Sequence, residues 1–359
     1  MSWSFQLFRV GGTLVQVHWT FFLLLAWFGA IQWMAVGPEA AVFAVVFILL
    51  LFLCVLLHEF GHIFAARRYG IQTPTITLLP IGGVASMERM PEKPGQEIVV
   101  ALAGPAVNVV IAFVLIAILG ARIDPSAINL TENLGSDMLA RVAFANIALV
   151  AFNLIPAFPM DGGRVLRAIL AIRMGFVRAT QLAANIGQML AIALGFVGLL
   201  GNPLLILIAI FIYFAATAES QYVEMRSLAR GYLARDAMIT KFESLNPLST
   251  ADDAAALLLR TTQQEFPVLD SDSRLQGIVT RERLIEALRD HGGSTPVTEF
   301  MEKDIPVVMG TSTLENVIQI LQQKGARAVA VNGPDNRLAG FITPENFAGM
   351  MMIGRAREA

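Results

Sequence analysis

Residues 40–68 read AAVFAVVFILLLFLCVLLHEFGHIFAARR, and their composition decides the class of the fold. The first part, Ala40–Leu57, carries no charge over 18 residues, and about 20 apolar residues suffice for a helix to cross the hydrocarbon core of a bilayer. The uncharged run ends in His58-Glu59-Phe60-Gly61-His62. An i, i+4 spacing puts both imidazoles on one helical face, where they can grip one zinc ion. Glu59 sits beside that face and can take a proton from water held at the ion. A pair of interfacial histidines with a solvated glutamate is the plainer alternative. It fits poorly, because ionisable groups at membrane depth are costly and mark function.

The rest of the N-terminal part repeats the membrane signature. Val10–Pro38, Ile98–Ala121, Val142–Met160 and Ala179–Ala218 also lack Asp, Glu, Lys and Arg. The last of these is long enough for two spans, and Gly201-Asn202-Pro203 supplies a tight turn inside it. The expected architecture is therefore a polytopic α-helical membrane protein of about six helices. Hydrophobic residues make up 55% of the chain and charged ones only 15%, against about 25% charge in soluble domains. Residues 1–218 hold 20 of the 54 charged side chains, so a hydrophilic domain is expected to follow the membrane part. A net charge of −2 gives no reason to expect nucleic acid as a partner. The one cysteine, Cys54, excludes both an intrachain disulfide and a cysteine-rich zinc site, and its expected role is that of a small buried hydrophobe. The opening MSWSFQLFRVGG lacks the basic start and small-residue cleavage site of a signal peptide.

Orientation follows from the basic residues of the short loops. Arg67, Arg68, Arg89 and Lys93 follow the second expected helix, and Arg164, Arg167, Arg173 and Arg178 follow the fourth. The opposite loops offer Arg122 and Arg141. The positive-inside rule then puts both termini, and the hydrophilic C-terminal region, in the cytoplasm.

Two histidines leave a catalytic zinc one protein ligand short. Of the other histidines, His18 stands beside Trp19 as an expected interfacial residue, and His291 lies in the hydrophilic region. Asp161 is the better candidate, being the first charge after Val142–Met160 and expected at the depth of His58. Pro156, Pro159, Gly162 and Gly163 allow an irregular backbone around it. An N-cap for the segment Gly162–Met174 is the alternative role for Asp161.

HEFGH in a membrane helix, then Gly104-Pro105-Ala106-Val107-Asn108, then NLIPAFPMDGG over Asn153–Gly163, resembles the site-2 protease family of intramembrane zinc metalloproteases. The resemblance extends over roughly residues 10–218. It implies that His58, His62 and Asp161 bind one zinc ion and that Glu59 is the general base. It also implies that the substrate is a transmembrane or membrane-proximal segment of another protein, cut during regulated intramembrane proteolysis. Asn153 would orient or polarise the scissile peptide, and Asn108 would hydrogen-bond between helices; interhelical bonding alone is the alternative for both. The stretch Ile71–Met87 is β-branched, carries a Gly82-Gly83 turn and is too broken for a span. In similar proteases this region forms membrane-associated strands, whose edge could hold an unwound substrate; a plain loop is the alternative. The layout suits the inner membrane of a bacterium or archaeon.

The hydrophilic region contains a repeat. Asp236-Ala237-Met238 recurs as Glu299-Phe300-Met301, and Gly277-Ile278-Val279-Thr280 as Gly340-Phe341-Ile342-Thr343. Each unit reads as helix, strand, turn, strand and helix, which resembles a tandem pair of CBS modules of α+β type. The expected domains are the membrane protease, 1–218, a linker, 219–232, and modules at 233–292 and 293–353. CBS pairs often bind adenine nucleotides such as ATP or AMP, and also pair as homodimers. The candidate nucleotide residues are Thr280, Thr343 and Asn346. Arg283 stands where nucleotide-binding members commonly carry a ribose-holding aspartate, which puts that ligand in doubt. A CBS-regulated transporter would leave Glu59 and Asp161-Gly162-Gly163 unexplained, and a proteolytically inactive scaffold would leave the full set of zinc and base residues unexplained.

Overall fold

The computed structural model describes residues 3–80, 82–87, 91–118 and 138–358. Arg89, Arg122 and the last residues of the third expected span, 119–121, lie outside them. The chain divides into two compact units, Met1–Gln221 and Tyr222–Ala359.

The first unit opens with a hairpin, β1 (Ser4–Val10) and β2 (Thr13–His18), that runs into helix α1 (Trp19–Ala35). Helix α2 (Pro38–Arg67) follows, then β3 (Thr75–Leu79) and β4 (Gly82–Ser86). The four strands form one sheet in the order β1-β2-β3-β4, with β2 and β3 parallel. The alternation in TLVQVH turns Thr13, Val15 and Val17 inward. Val15, Val17, Ile76 and Leu78 pack on a stripe of α2 formed by Ile48, Phe52, Leu56 and Phe60, at i, i+4, i+8 and i+12. A second buried stripe, Cys54, His58 and His62, lies on another face of the same helix. The sheet therefore holds α2 from one side and leaves the histidines to the helices on the other.

Those helices are α3 (Pro94–Phe113), α4 (Met138–Asn153), α5 (Asp161–Met174), α6 (Phe176–Leu199) and α7 (Pro203–Leu228). Gly201-Asn202-Pro203 makes the expected turn between α6 and α7, with the Asn202 side chain accepting from Leu204 N at 3.1 Å. Among the described residues, four helices are long and apolar enough to span a membrane: α2, α3 with the π-helical turn Val114–Ile118, α6 and α7. That is two fewer than the expected six. Helices α1, with 17 residues, and α4, with 16, reach only about 24–26 Å at 1.5 Å per residue, short of a core of about 30 Å. The apolar stretch before α1 is spent partly on strand β2, and the one after α4 on the Pro156/Pro159 loop. Charge-free length alone does not distinguish helix from apolar strand or loop.

The second unit contains α8 (Ala234–Ala237), α9 (Ala251–Arg260), β5 (Glu265–Leu269), β6 (Leu275–Thr280) and α10 (Arg281–Asp290). The order returns with one added strand, β7, as α11 (Val297–Phe300), β7 (Val307–Met309), α12 (Leu314–Lys324), β8 (Val329–Asn332), β9 (Leu338–Ile342) and α13 (Pro344–Glu358). Residues 219–228 of the expected linker are the continuation of α7. The leading segment of each repeat packs on the other repeat. Ala234 and Ala237 sit in the core of Leu314, Val329 and Ile342, while Val297 sits with Phe266, Val279 and Leu284. Ile239 exchanges main-chain hydrogen bonds with Phe341, and Glu302 exchanges them with Ile278. The repeated glycines follow from this exchange. A Cβ on Gly277 would lie 2.7 Å from Glu302 O, and one on Gly340 would lie 2.5 Å from Ile239 O.

Candidate metal centre

Helix α2 places His58 and His62 one turn apart, with ring centroids separated by 4.7 Å. Their Nε2 atoms are 3.0 Å apart, and Asp161 Oδ2 lies 3.2 Å from each. All three residues are buried, and Asp161 Oδ2 receives no hydrogen bond. These separations approximate the edges of a zinc tetrahedron, about 3.3 Å for ligand bonds of about 2.0–2.1 Å. Among the described residues, His58, His62 and Asp161 are the group able to hold a metal ion. An unpartnered buried carboxylate oxygen facing two imidazole nitrogens suits a cation, so the donor set fits zinc. His18 and His291 are not in the group; His18 caps α1, accepting from Thr20 N.

The backbone explains how Asp161 arrives. It is the first residue of α5, whose N-cap is Met160, and no side-chain capping bond is made there. The aspartate therefore does not act as the cap. Close contacts around the loop account for both glycines that follow. A Cβ on Gly162 would meet Leu154 O and Ile155 O at 2.4 Å, and one on Gly163 would meet the Ala157 carbonyl carbon at 2.6 Å. The loop contains a cis Phe158–Pro159 bond.

Helix α3 closes the site from a third side. A Cβ on Gly104 would lie 2.2 Å from His62 Nε2 and 2.7 Å from His58 Nε2. A Cβ on Gly61 would lie 2.7 Å from Ala103 O, so α2 and α3 meet through two glycines. His62 Nδ1 pairs with the Val100 carbonyl at 2.7 Å, and His58 Nδ1 with Asn108 Oδ1. Both rings thus turn Nε2 toward Asp161.

A cavity of about 340 Å³ opens beside the triad, lined by Glu59, Asn153, Arg164 and Phe211 and by Gly82–Ala85 of strand β4. Strand β4 presses on Glu59, for a Cβ on Gly83 would be 2.8 Å from Glu59 Cγ. Asn153 lines this cavity, whereas Asn108 is fully buried behind His58. Sequence reasoning missed several polar groups. Asn146 bonds to Asn108 and contacts Cys54 Sγ at 3.3 Å. Arg167, wholly buried on α5, pairs with Glu97 of α3 and Glu219 of α7 and lies over the rings of Phe158 and Phe176. A polar side chain inside an apolar helix was the available signal for Asn146, just as it was for Asn108 and Asn153.

The pattern of peptidase family M50 matches residues 46–136 and 125–194, and that of the CBS domain matches 234–290 and 297–352. A zinc metalloprotease of Methanocaldococcus jannaschii is 35% identical over 361 residues, spanning 100% of this chain and 99% of that protein. The chain belongs to the site-2 protease family, peptidase family M50. Stage IV sporulation protein FB of Bacillus subtilis is 26% identical to this M50 protease over 209 residues, 56% of this chain and 68% of that one. The solved structure of a site-2 protease from M. jannaschii shares 39% identity, covering 60% of this chain and 95% of that chain, with a TM-score of 0.45. The M50 protease described here is an intramembrane zinc metalloprotease with an adjoining CBS module.

The second unit contains a cavity of about 640 Å³ lined by Thr343, Asn346, Lys241 and three glutamates, Glu243, Glu265 and Glu345. Asn346 Oδ1 has no hydrogen-bond partner. Thr280 does not line this cavity and caps α10 instead, accepting from Arg283 N. Burial, with Glu345 and Glu282 nearby, pushes the Glu265 carboxyl up to about 7.

Proposed function

We propose that His58, His62 and Asp161 hold one zinc ion and that Glu59 is the general base for peptide hydrolysis within the membrane. One observation carries this assignment: three buried donor atoms converge within 3.2 Å, and the carboxylate oxygen among them has no hydrogen bond. When bound, zinc acts as a Lewis acid that lowers the pKa of water and polarises a carbonyl. The protein's own groups do the rest. Glu59, which lines the cavity beside Gly83, takes the proton from the attacking water and delivers it to the departing amine. Asn153 and Arg164 line the same cavity, where an amide N–H and a guanidinium can stabilise negative charge developing on the scissile oxygen.

The substrate is a transmembrane or membrane-proximal segment of another protein. Its carbonyls are tied up in helical hydrogen bonds, so it must unwind before it can be cut. Strand β4 ends the sheet and four of its residues wall the cavity, which suits an extended segment added to its edge. Six spans with both termini in the cytoplasm follow if α1 and α4 also cross, each requiring local thinning of the bilayer. A reporter fused after residue 230 should then read as cytoplasmic, and one inserted near residue 125 as the opposite side; the reverse pattern would overturn the orientation.

The CBS pair, as an attached module, modulates cleavage. Thr343 and Asn346 could hold an adenosine hydroxyl, but phosphates of ATP or AMP would meet three carboxylates against Lys241. Titration calorimetry with adenosine, AMP and ATP, alongside cleavage by a chain lacking 233–359, tests both the ligand and the regulation. A homodimer through the CBS modules would appear as two chains per particle in the full-length protein and one after that truncation. Zinc content tests the central assignment: the parent should carry one zinc per chain and Asp161→Ala almost none. Full occupancy in Asp161→Ala would refute the ligand set.

A further inference from the structure

His62 and His58 are oriented by different means. His62 Nδ1 meets the backbone carbonyl of Val100, which can only accept, so its Nδ1 must carry the hydrogen. His58 Nδ1 meets the side chain of Asn108, and an amide offers a donor on one side and an acceptor on the other. Something must decide which of the two Asn108 presents. If Nδ2 faced the ring, His58 would hold its hydrogen on Nε2, the atom that faces Asp161 and His62, and could not ligate through it.

We propose that Asn146 of helix α4 is the positioning residue that makes this choice. The inference rests on His58, His62 and Asp161 being the zinc ligands. Asn146 Nδ2 donates to the Val142 carbonyl at 2.8 Å, and that oxygen can only accept. Asn146 Oδ1 therefore faces Asn108 and accepts from Asn108 Nδ2 at 2.7 Å. Asn108 Oδ1 is left for His58, and His58 Nδ1 must donate to it. The main chain of α4 thereby sets the tautomer of a ligand on α2 through two amides. Asn108 and Asn146 are both 0% exposed, so bulk water does not reach a link that turns round. Cys54 Sγ, one turn before His58, takes the second Asn146 amide hydrogen at 3.3 Å, which completes the donors of Asn146.

The test measures zinc affinity of the purified full-length chain by competition with a chelator, with thermal unfolding of the metal-free protein as the check on folding. Parent zinc binding comes first; its absence would refute the ligand set and not this relay. In Asn146→Ser the hydroxyl can still bond Val142 O, four residues back in the helix, but is too short to reach Asn108. Zinc affinity should fall about 10- to 100-fold, the usual cost of losing an outer-shell partner. Asn146→Asp keeps a carboxyl oxygen that accepts from Asn108 Nδ2 whether ionised or not, and should stay within about threefold of the parent. In an Asn108→Leu background, adding Asn146→Ser should cost nothing further, because the relay is already cut. Should Asn146→Ser not fold, Asn146→Thr fills more of the volume and makes the same comparison. Parental affinity in the Ser or Thr variant, an equal loss in Asn146→Asp, or losses that add in full with Asn108→Leu would each overturn the proposal.

Discussion

Gly104→Ala is the sharpest single perturbation of the metal centre. The added methyl group would lie 2.2 Å from His62 Nε2, and ordinary contact begins at 3.4 Å. The ring must retreat by about 1.2 Å, or α3 must withdraw from α2 by a similar amount. Metal-ligand distances tolerate only about 0.2 Å, so neither response keeps three donors on one ion. Stability should fall by no more than about 2 kcal/mol, because overpacking of about 1–3 kcal/mol is partly offset by about 1 kcal/mol gained on replacing a helical glycine. The expected variant is folded, poor in zinc and slower in cleavage by about 100-fold or more, the usual consequence of misplacing a reacting group by 1 Å. Gly195→Ala is the control, since its new methyl would meet nothing closer than Ala209 Cβ at 3.6 Å. It should keep full zinc and cleavage and gain slightly in thermal stability. Metal analysis and unfolding of both purified proteins in one detergent decide the matter. Stoichiometric zinc with parental cleavage in Gly104→Ala would refute the packing argument, and with it the placement of both imidazoles against α3.

Glu59→Gln should retain zinc and lose cleavage, since the three donors remain while the base is gone; substantial proteolysis would remove Glu59 from that role. Arg167→Met strands the buried Glu97 carboxylate and should destabilise the chain by about 3–5 kcal/mol, read from the unfolding midpoint. The double variant Glu97→Gln with Arg167→Met removes both charges and should recover much of that loss; no recovery would mean that the pair is not the source. Glu265 has a carboxyl raised to about 7 in the folded chain. It holds its proton more tightly folded than unfolded, so stability is fully present below the ordinary glutamate range near pH ~4.3 and is lost as pH rises through about 7. Unfolding of the second unit should therefore come at lower temperature at pH 8 than at pH 5. Glu265→Gln should narrow that difference, and an unchanged difference would assign it to other groups.

Much of the protein is legible from local pattern alone. Apolar length marks α2, α3, α6 and α7, and the Gly201-Asn202-Pro203 break separates the last two. The i, i+4 histidines need nothing beyond helical geometry to share a face. The repeat spacing places the strand pairs of the second unit, because each unit carries its own turn and alternation. Length failed where an apolar stretch was not all helix. Residues 10–18 carry no charge, yet β2 (Thr13–His18) pairs with β1 and β3 and packs Val15 and Val17 on α2, and a strand so placed has no more charge than a span.

What the tertiary structure alone decided is every relation between residues far apart in the chain. Asp161 sits 99 residues after His62, and no periodicity links them; the irregular loop from Leu154 to Met160 and the close packing at Gly162 and Gly163 bring them together. Gly104 is read from sequence as part of a motif, but only the approach of α3 to both imidazoles shows why a methyl group is excluded there. Asn146 lies in a charge-free stretch like Asn108 and Asn153, yet the direction of its hydrogen bonds depends on three helices meeting. The exchange of α8 and α11 between the repeats is likewise invisible in the spacing, since either packing keeps the same residues in sequence order. Local chemistry follows from neighbours along the chain, which a sequence states directly. The orientation of a buried amide, or the partner of a buried arginine, follows from neighbours in space.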